Sequence, residues 1–133
     1  MAEGPMITIL LVDDQPLIRS GLRMRLELEP DLAVIGEAGD GAAALALARE
    51  THPQVVIMDI AMPIMDGIAA TAAIRAAVPE SAVVVHSLHD DAATQARARA
   101  AGAVAFVGKH HLEAPLLAAI RQAGSRQSAV GSR

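Results

Sequence analysis

Short apolar runs alternate with longer amphipathic stretches along most of the chain. The runs are rich in β-branched residues and mostly apolar at successive positions, which is typical of parallel strands covered on both faces. They occupy 7–12, 32–38, 54–58, 82–87 and 104–107. The pattern therefore predicts five buried β-strands.

The stretches between and after these runs carry helix signals. Pro16 suits the first turn of a helix over 16–29. Aspartate, a favoured N-cap residue, precedes three further stretches, at Asp40, Asp66 and Asp90. These aspartates predict helices over 41–50, 67–77 and 91–101. A last helix is predicted where apolar residues recur at helical spacing, at Leu112, Leu116 and Ile120.

Five successive β-then-α units predict an α/β domain. The expected fold is a doubly wound, five-stranded parallel sheet in the flavodoxin-like order 2-1-3-4-5, with helices on both faces. The predicted domain covers 7–123 and follows an N-terminal extension over 1–6. The segment 124–133 is rich in Ser, Gly and Arg and lacks an apolar period, which predicts a linker or a disordered tail.

The composition narrows the class of protein. The 133 residues suit one domain, and the hydrophobic fraction of 53% is too high for a disordered chain. Cysteine is absent, which excludes disulfides and thiolate metal sites and makes the cytoplasm the expected location. The net charge of −4 argues against nucleic-acid binding by this domain itself. No apolar run approaches the roughly 20 residues of a membrane span, so no membrane association is expected.

Polar residues suited to phosphate chemistry stand at the ends of the predicted strands. Asp13 and Asp14 follow the first strand and Asp59 follows the third. Ser87 ends the fourth strand, and Lys109 follows the fifth. Because the carboxyl ends of parallel strands meet at one edge of a sheet, these side chains are expected to converge. Three carboxylates repel one another unless a cation lies among them, and Mg²⁺ prefers oxygen ligands, so the set predicts a Mg²⁺-assisted phosphate site.

The same residues stand in motifs that resemble the receiver domain of response regulators. Asp13-Asp14 follow ILLV, MDIAMPIMDG spans 58–67, VVVHS ends at Ser87, and FVGK ends at Lys109. Their order and spacing agree with the family from 7 to about 123. The stretches GEAGDGAAALALA and MDIAMPIMDGIAAT further resemble the branch of receivers that carries a C-terminal helix-turn-helix output domain.

The resemblance implies a role for each residue of the site. Asp59 would be the phosphoacceptor, the nucleophile that takes a phosphoryl group from a histidine kinase. Mg²⁺ would be held by the backbone carbonyl of Ala61 and by three carboxylates, those of Asp13, Asp14 and Asp59. Lys109 would pair with Asp59 and then with the phosphate. General chemistry agrees, since carboxylates are recognised nucleophiles toward phosphoryl groups.

The resemblance also implies a switch and its partners. Ser87 would turn inward to the phosphate on activation, and the rotamer of Phe106 would follow it, although a plain core position for Phe106 fits the sequence equally well. The domain would be a signalling switch, not an enzyme beyond its own phosphorylation and slow dephosphorylation. Its partners would be a cognate histidine kinase and, weakly, a second phosphorylated copy. Its output would be transcription, through a separate DNA-binding domain.

Two positions depart from the family's pattern. His110 follows Lys109 where receivers usually have proline, so a trans peptide bond is expected at this point. Leu88 follows Ser87 where receivers usually have a small residue. The bulk of Leu88 is expected to slow the inward motion of Ser87 or to narrow access for the phosphodonor.

Other interpretations of the sequence compete with the signalling switch. A phosphatase that used Asp59 would commonly place a second acid two residues later, where this chain has Ala61. A receiver-like module that is never phosphorylated would not need the intact Asp, Ser and Lys set. A transition-metal site is suggested by histidines in two predicted loops, but oxygen-rich ligation favours Mg²⁺. These histidines are His86, His89, His110 and His111.

Overall fold

The computed structural model describes residues 6–110 and 113–131, over which five β-strands alternate with five α-helices. The strands are β1 (Ile7–Val12), β2 (Leu32–Ala38), β3 (Val55–Met58), β4 (Ala82–Ser87) and β5 (Ala105–Gly108). The helices are α1 (Pro16–Glu27), α2 (Gly41–Thr51), α3 (Gly67–Ala77), α4 (Ala92–Ala100) and α5 (Glu113–Gly131).

The strands form one parallel sheet in the order β2-β1-β3-β4-β5. This order confirms the predicted fold, and every predicted strand lies within one residue of an observed one. The chain runs outward from β1 to β2 and then continues on the other side through β3, β4 and β5. The switch point therefore lies between β1 and β3, where a crevice opens at the carboxyl ends of the strands.

Two apolar layers cover opposite faces of the sheet. On one face, Ile9, Ile57 and Val84 pack against α1 and α5, chiefly through Leu26 and Ile120. On the other face, alternate residues of the same strands pack against α2, α3 and α4. The helices line this second layer mainly with alanines, namely Ala44, Ala48, Ala70 and Ala98. Small side chains let these helices approach the sheet closely, so a core forms although the chain has a single aromatic residue.

Helix starts follow the sequence signals with one correction. Asp40 and Asp66 cap α2 and α3 as predicted, each carboxylate accepting the N–H three residues further on. The prediction that Asp90 caps the fourth helix is wrong, because Asp91 takes that place. The carboxylate of Asp90 lies instead 2.6 Å from Nε2 of His110, in the loop after β5. A tertiary contact thus decided between two adjacent aspartates.

The first helix ends two residues before its predicted end. Leu28 and Glu29 donate to the carbonyls of Arg25 and Leu26, each three residues earlier. This tightened turn closes α1 at Glu27, just before the loop to β2.

The last helix continues past the predicted domain boundary at 123, as far as Gly131. Gly124 is buried, and a Cβ at this position would lie 2.6 Å from Cδ1 of Ile7. The glycine therefore permits close packing of α5 against β1. Leu112, residues 1–5 and residues 132–133 lie outside the described part of the chain, so the domain boundaries stay predictions. None of the described helices is both long and apolar enough to cross a membrane.

Candidate functional site

The carboxyl edge of the sheet gathers the three predicted acids. The β1–β3 register pairs Val12 with Met58, so the next residues, Asp13 and Asp59, lie side by side. Asp13 is 5% exposed and Asp59 is 7% exposed, whereas Asp14 lies at the surface. One carboxylate oxygen from each acid lies within 4.8 Å of the other two. The structure therefore brings the predicted acidic cluster together.

Lys109 reaches this cluster from the edge of the sheet that β5 forms. It follows the edge strand β5, and β4 lies between β5 and the strands that carry the acids. Its Nζ lies 2.6 Å from Oδ2 of Asp13 and 3.4 Å from Oδ1 of Asp59. The resemblance implied a pair with Asp59, but the shorter contact is with Asp13. The ammonium thus bridges two buried carboxylates.

The surroundings of Asp59 disfavour its charged form. Burial, the largest effect, raises the pKa of the Asp59 carboxyl above its ordinary value, and the nearby charge of Asp13 adds to the rise. The Lys109 ammonium acts in the opposite direction. So does the N–H of Ile60, which donates to Oδ1 of Asp59 at 2.9 Å. The carboxylate is therefore held in place by donors but is short of compensating charge.

The loop after β3 folds closely around Asp59. The N–H of Gly67 donates to the carbonyl of Ile60 at 2.9 Å. A Cβ at Gly67 would lie 1.8 Å from the carbonyl oxygen of Asp59, so only glycine fits this approach. Asp66, just before it, caps α3. The loop geometry thus depends on a glycine that begins a helix.

The chemistry of the donors fits a hard divalent cation. Three carboxylates and one ammonium leave two negative charges at the cluster. Mg²⁺ takes oxygen ligands and is commonly bound by one or two carboxylates together with water and phosphate oxygens. No histidine of the described residues joins a metal-binding group with these acids. His111, one of the histidines considered for a transition metal, lies outside the described residues.

A cleft of about 340 Å³ opens beside the acids. Its lining includes Asp14, Asp59, Ala61, Leu88, His89 and Lys109. Ala61 lines the cleft beside these acids, and the role of its backbone carbonyl as a Mg²⁺ ligand stays a prediction. Leu88 is 60% exposed and stands at the rim of the cleft, so its bulk bears on access to Asp59.

Ser87 and Phe106 lie away from this cleft in the present arrangement. Ser87 is completely buried, and its Oγ accepts the N–H of His89 at 3.0 Å. Phe106 pairs in register with Val85, and its side chain packs against the layer on the side of α2, α3 and α4. It lines a separate cavity of about 330 Å³, together with Gln95 and others. Their predicted switching roles stay predictions.

His86 lies near the site, but on β4 and not in a loop as the transition-metal interpretation assumed. The sheet register places His86 beside Val107 on β5, and on the β3 side at the level of Asp59. Its ring is half-buried, and burial lowers its pKa to about 4. This value includes two smaller effects: the charge of Lys109 also lowers the pKa, and the charge of Asp13 opposes the change. His86 is therefore neutral at physiological pH. It lies near enough to Lys109 and Asp13 for their charges to change its pKa.

Arg19 is a residue near the site that sequence reasoning missed. Its Nη1 donates to the backbone carbonyl of Asp13 at 2.6 Å, and its Nε donates to Glu37 at 3.0 Å. The sequence holds a signal for this contact, because Glu37 is the one charged residue in the otherwise apolar strand β2. A charge in such a strand indicates an ion pair, but its partner cannot be read from the sequence.

The loop after β5 has the trans peptide bond that was expected before His110. The described residues include no cis peptide bond, so the bond between Lys109 and His110 is trans, as predicted. Nε2 of His110 pairs with Asp90 of the β4–α4 loop. The departure from proline therefore adds a contact between the two loops that follow Ser87 and Lys109.

Comparison with known proteins decides the family. The model of the response regulator receiver domain matches residues 9–121. The chain belongs to the response regulator receiver family. The solved receiver domain of the putative response regulator NarL from Mycobacterium tuberculosis is similar to this receiver, with a TM-score of 0.87 and 34% identity, over 92% of this chain and 98% of that one.

The curated relatives of this receiver are longer proteins. The uncharacterized transcriptional regulatory protein YxjL of Bacillus subtilis is 40% identical over 88% of this chain and 54% of its own length. A protein-glutamate methylesterase/protein-glutamine glutaminase of Anaeromyxobacter dehalogenans is 45% identical over 78% of this chain and 31% of its own length. This receiver thus spans about half or less of these relatives, whose names describe different outputs.

Proposed function

We propose that this receiver takes a phosphoryl group from a histidine kinase onto Asp59, with Mg²⁺ at the acidic cluster, and thereby switches an output. One observation carries the proposal. Asp59 is a buried carboxylate that lies beside Asp13 and Asp14, within reach of the Lys109 ammonium, and lines an open cleft. This is the arrangement that a phosphoryl acceptor needs: a held nucleophile, donors for the phosphate oxygens, and access for the donor molecule.

The acids would hold Mg²⁺ through their carboxylates, and the backbone carbonyl of Ala61 would complete the protein's ligands. When bound, Mg²⁺ neutralises the charge that develops on the transferred phosphoryl group. The excess of two negative charges favours such an ion. Burial and, to a smaller extent, the charge of Asp13 raise the pKa of Asp59, and a cation would offset both effects, so that the nucleophile carries its charge.

The reaction is an in-line displacement at phosphorus. A carboxylate oxygen of Asp59 forms the new O–P bond as the N–P bond of the donor's phosphohistidine breaks, and the released imidazole takes up a proton. The N–H of Ile60 holds Oδ1 of Asp59, which leaves the second oxygen to attack. Lys109 would turn its remaining N–H bonds to the phosphoryl oxygens.

The switch would follow from the loops that carry Ser87 and Phe106. A phosphoryl group on Asp59 offers acceptor oxygens, and the Ser87 hydroxyl would leave the N–H of His89 to donate to one of them. The space that Ser87 vacates would be taken by Phe106, which lies on the same face of the neighbouring strand. The rearrangement would alter the surface of α4, β5 and α5.

The proposed partners are a histidine kinase and, weakly, a second phosphorylated copy of the chain, and the proposed compartment is the cytoplasm. Transcription is the output we favour, because it stands in the name of the regulator YxjL, which the chain matches over 117 residues. A phosphatase is disfavoured, since Ala61 in the cleft provides no second acid two residues after Asp59.

Intact-mass measurement after incubation with Mg²⁺ and acetyl phosphate tests the acceptor. We expect one acid-labile phosphoryl group per chain, absent from Asp59→Asn. Asp66→Asn is the matched control, because it neutralises an acid of the same loop while asparagine still caps α3. Equal labelling of Asp59→Asn and the parent would overturn the assignment.

A further inference from the structure

We infer that Arg19 is a positioning residue for the acidic cluster: it clamps the β1–α1 turn that carries Asp13 and Asp14 to the end of β2. The inference rests on the proposed Mg²⁺ site and adds a residue that does not touch it. Four observations support it.

The first observation is the contact with the turn itself. Nη1 of Arg19 donates to the backbone carbonyl of Asp13 at 2.6 Å, and the Arg19 side chain is only 19% exposed. The guanidinium binds the main chain and leaves the Asp13 carboxylate to Lys109 and to the N–H of Gln15. The positive charge is therefore used to hold the backbone and does not compete for the carboxylate.

The second observation is the anchor behind Arg19. Glu37, level with Leu11 in the sheet, receives Nε of Arg19 at 3.0 Å on one oxygen and Nη1 of Arg23 at 2.7 Å on the other. The hydrogen bonds from these two arginines hold the pKa of Glu37 below its ordinary value, and Arg23 has the larger effect. Glu37 is therefore charged at neutral pH. From its place on β2, it fixes the side chain of Arg19, which is on α1.

The third observation is the space around the guanidinium. A Cβ at Gly39 would lie in ordinary van der Waals contact with Nη1 of Arg19, at 3.4 Å, so the terminal nitrogen lies beside the residue that follows β2. The N–H of Asp13 donates to the carbonyl of Ala38 at 3.1 Å, directly before this glycine. The turn is thus tied to the end of β2 twice, by its own amide and through Arg19.

The fourth observation explains why the clamp matters for metal binding. Asp14 is exposed, and among the described residues its carboxylate has no hydrogen-bond or ion-pair partner. The direction of this carboxylate therefore depends on the backbone of the turn. Loss of the clamp would leave the Asp14 carboxylate free to point away from Asp59. Residues behind metal ligands commonly change metal affinity by about tenfold or more.

Mg²⁺ affinity, measured by calorimetric titration of the phosphate-free protein, tests the inference without reference to activity. We expect Arg19→Met to weaken Mg²⁺ binding by about tenfold. Arg23→Met is the matched control, because Arg23 binds the same Glu37 and sits on the same helix but does not touch Asp13. It should change the affinity by less than about twofold. Glu37→Gln keeps an acceptor but loses the charge, and should give an intermediate loss.

A variant that lost its fold would mislead the titration, so circular dichroism and urea unfolding without Mg²⁺ accompany each variant. Arg19→Met and Arg23→Met each break an ion pair to Glu37. If the two variants have similar unfolding free energies but Arg19→Met binds Mg²⁺ more weakly, the result supports Arg19 as a positioning residue. Equal affinities of Arg19→Met and the parent would overturn the inference while the proposed site stands. Failure of the parent to bind Mg²⁺ would instead overturn the proposed function. If Arg19→Met proves too unstable, Glu37→Gln with unchanged affinity overturns the inference.

Discussion

The polar groups at the amino edge of the sheet differ from those at the carboxyl edge in how fully they are paired. At the amino edge, polar groups have partners: neutral groups pair with one another, and charged groups form ion pairs, as Arg121 does with Glu29 and Asp31. The N–H of Thr8 donates to Oε1 of Gln54 at 3.0 Å, and Oγ1 of Thr8 accepts the N–H of Gln54 at 2.9 Å. Ser81, completely buried, donates its hydroxyl to the carbonyl of Pro53.

At the carboxyl edge, three carboxylates meet one ammonium, and burial adds to their repulsion. The excess charge costs stability unless a cation or a covalent change relieves it. The comparison teaches that this fold separates two tasks that compete within one core. Paired groups at one edge hold the strands in register, and unmatched charge at the other edge would serve the proposed phosphoryl transfer.

Acidification should give the largest effect, and it should act at the carboxyl edge. The folded-state pKa of His86, about 4, lies below its ordinary value of 6.5. The unfolded chain therefore binds a proton first, and stability falls as pH drops from 6.5 toward 4. We expect a loss of roughly 3 kcal/mol from this residue between pH 7 and pH 4. Urea unfolding with a chelator should show a flatter pH dependence in His86→Leu.

A matched replacement at the amino edge controls for histidine content. His52→Leu removes an exposed ring at the end of α2 and should keep the steep decline. A parent-like slope in His86→Leu would contradict the assignment to the buried ring.

Ser81→Ala should give the next largest effect and should separate the two edges. Removal of the hydroxyl leaves the buried carbonyl of Pro53 without this donor, which is expected to cost about 2 kcal/mol. The site lies at the opposite edge, so the stabilisation by Mg²⁺ should be unchanged. Thermal unfolding with and without Mg²⁺ measures both. A reduced response to Mg²⁺ would show that the edges are coupled.

Asp59→Asn should have a smaller effect of the opposite sign. Neutralising one buried carboxylate relieves repulsion with Asp13, while Lys109 keeps its 2.6 Å contact with Asp13. The metal-free variant is therefore expected to be more stable than the parent by about 1 kcal/mol. Its melting temperature should also respond less to Mg²⁺. A less stable metal-free variant would show that the Lys109–Asp59 contact outweighs the repulsion.

Leu88→Ala should have the smallest effect. Leu88 is exposed at the rim of the cleft, so its truncation is expected to change stability little and to widen access to Asp59. We predict phosphorylation by acetyl phosphate to become about threefold faster, which is less than 1 kcal/mol in the barrier. Stopped time points resolved by intact mass provide the rate. Ile64→Ala truncates another exposed apolar side chain, in the β3–α3 loop and outside the lining of the cleft, so it is the control and should leave the rate unchanged.

The sequence alone was sufficient to predict the positions of the strands and most of the residues that meet at the carboxyl edge. Buried parallel strands are mostly apolar at successive positions, so β1, β2 and β4 were predicted to the residue, and β3 and β5 to within one. Asp13, Asp14, Asp59 and Lys109 were placed together because topology brings strand ends to one edge. Helix ends were less predictable, because Asp90 and Asp91 are equally good caps until tertiary contacts engage one of them.

By itself, then, the sequence determined the alternation of elements, the order of the sheet and the residues that meet at its carboxyl edge. These features follow from local periodicity and chain connectivity. Only the tertiary structure decided that Lys109 lies closer to Asp13 than to Asp59, that Arg19 holds the turn from Glu37, and that His86 is neutral. Such pairings join residues distant in sequence, and their energies depend on distance and burial, which exist only once the chain has folded.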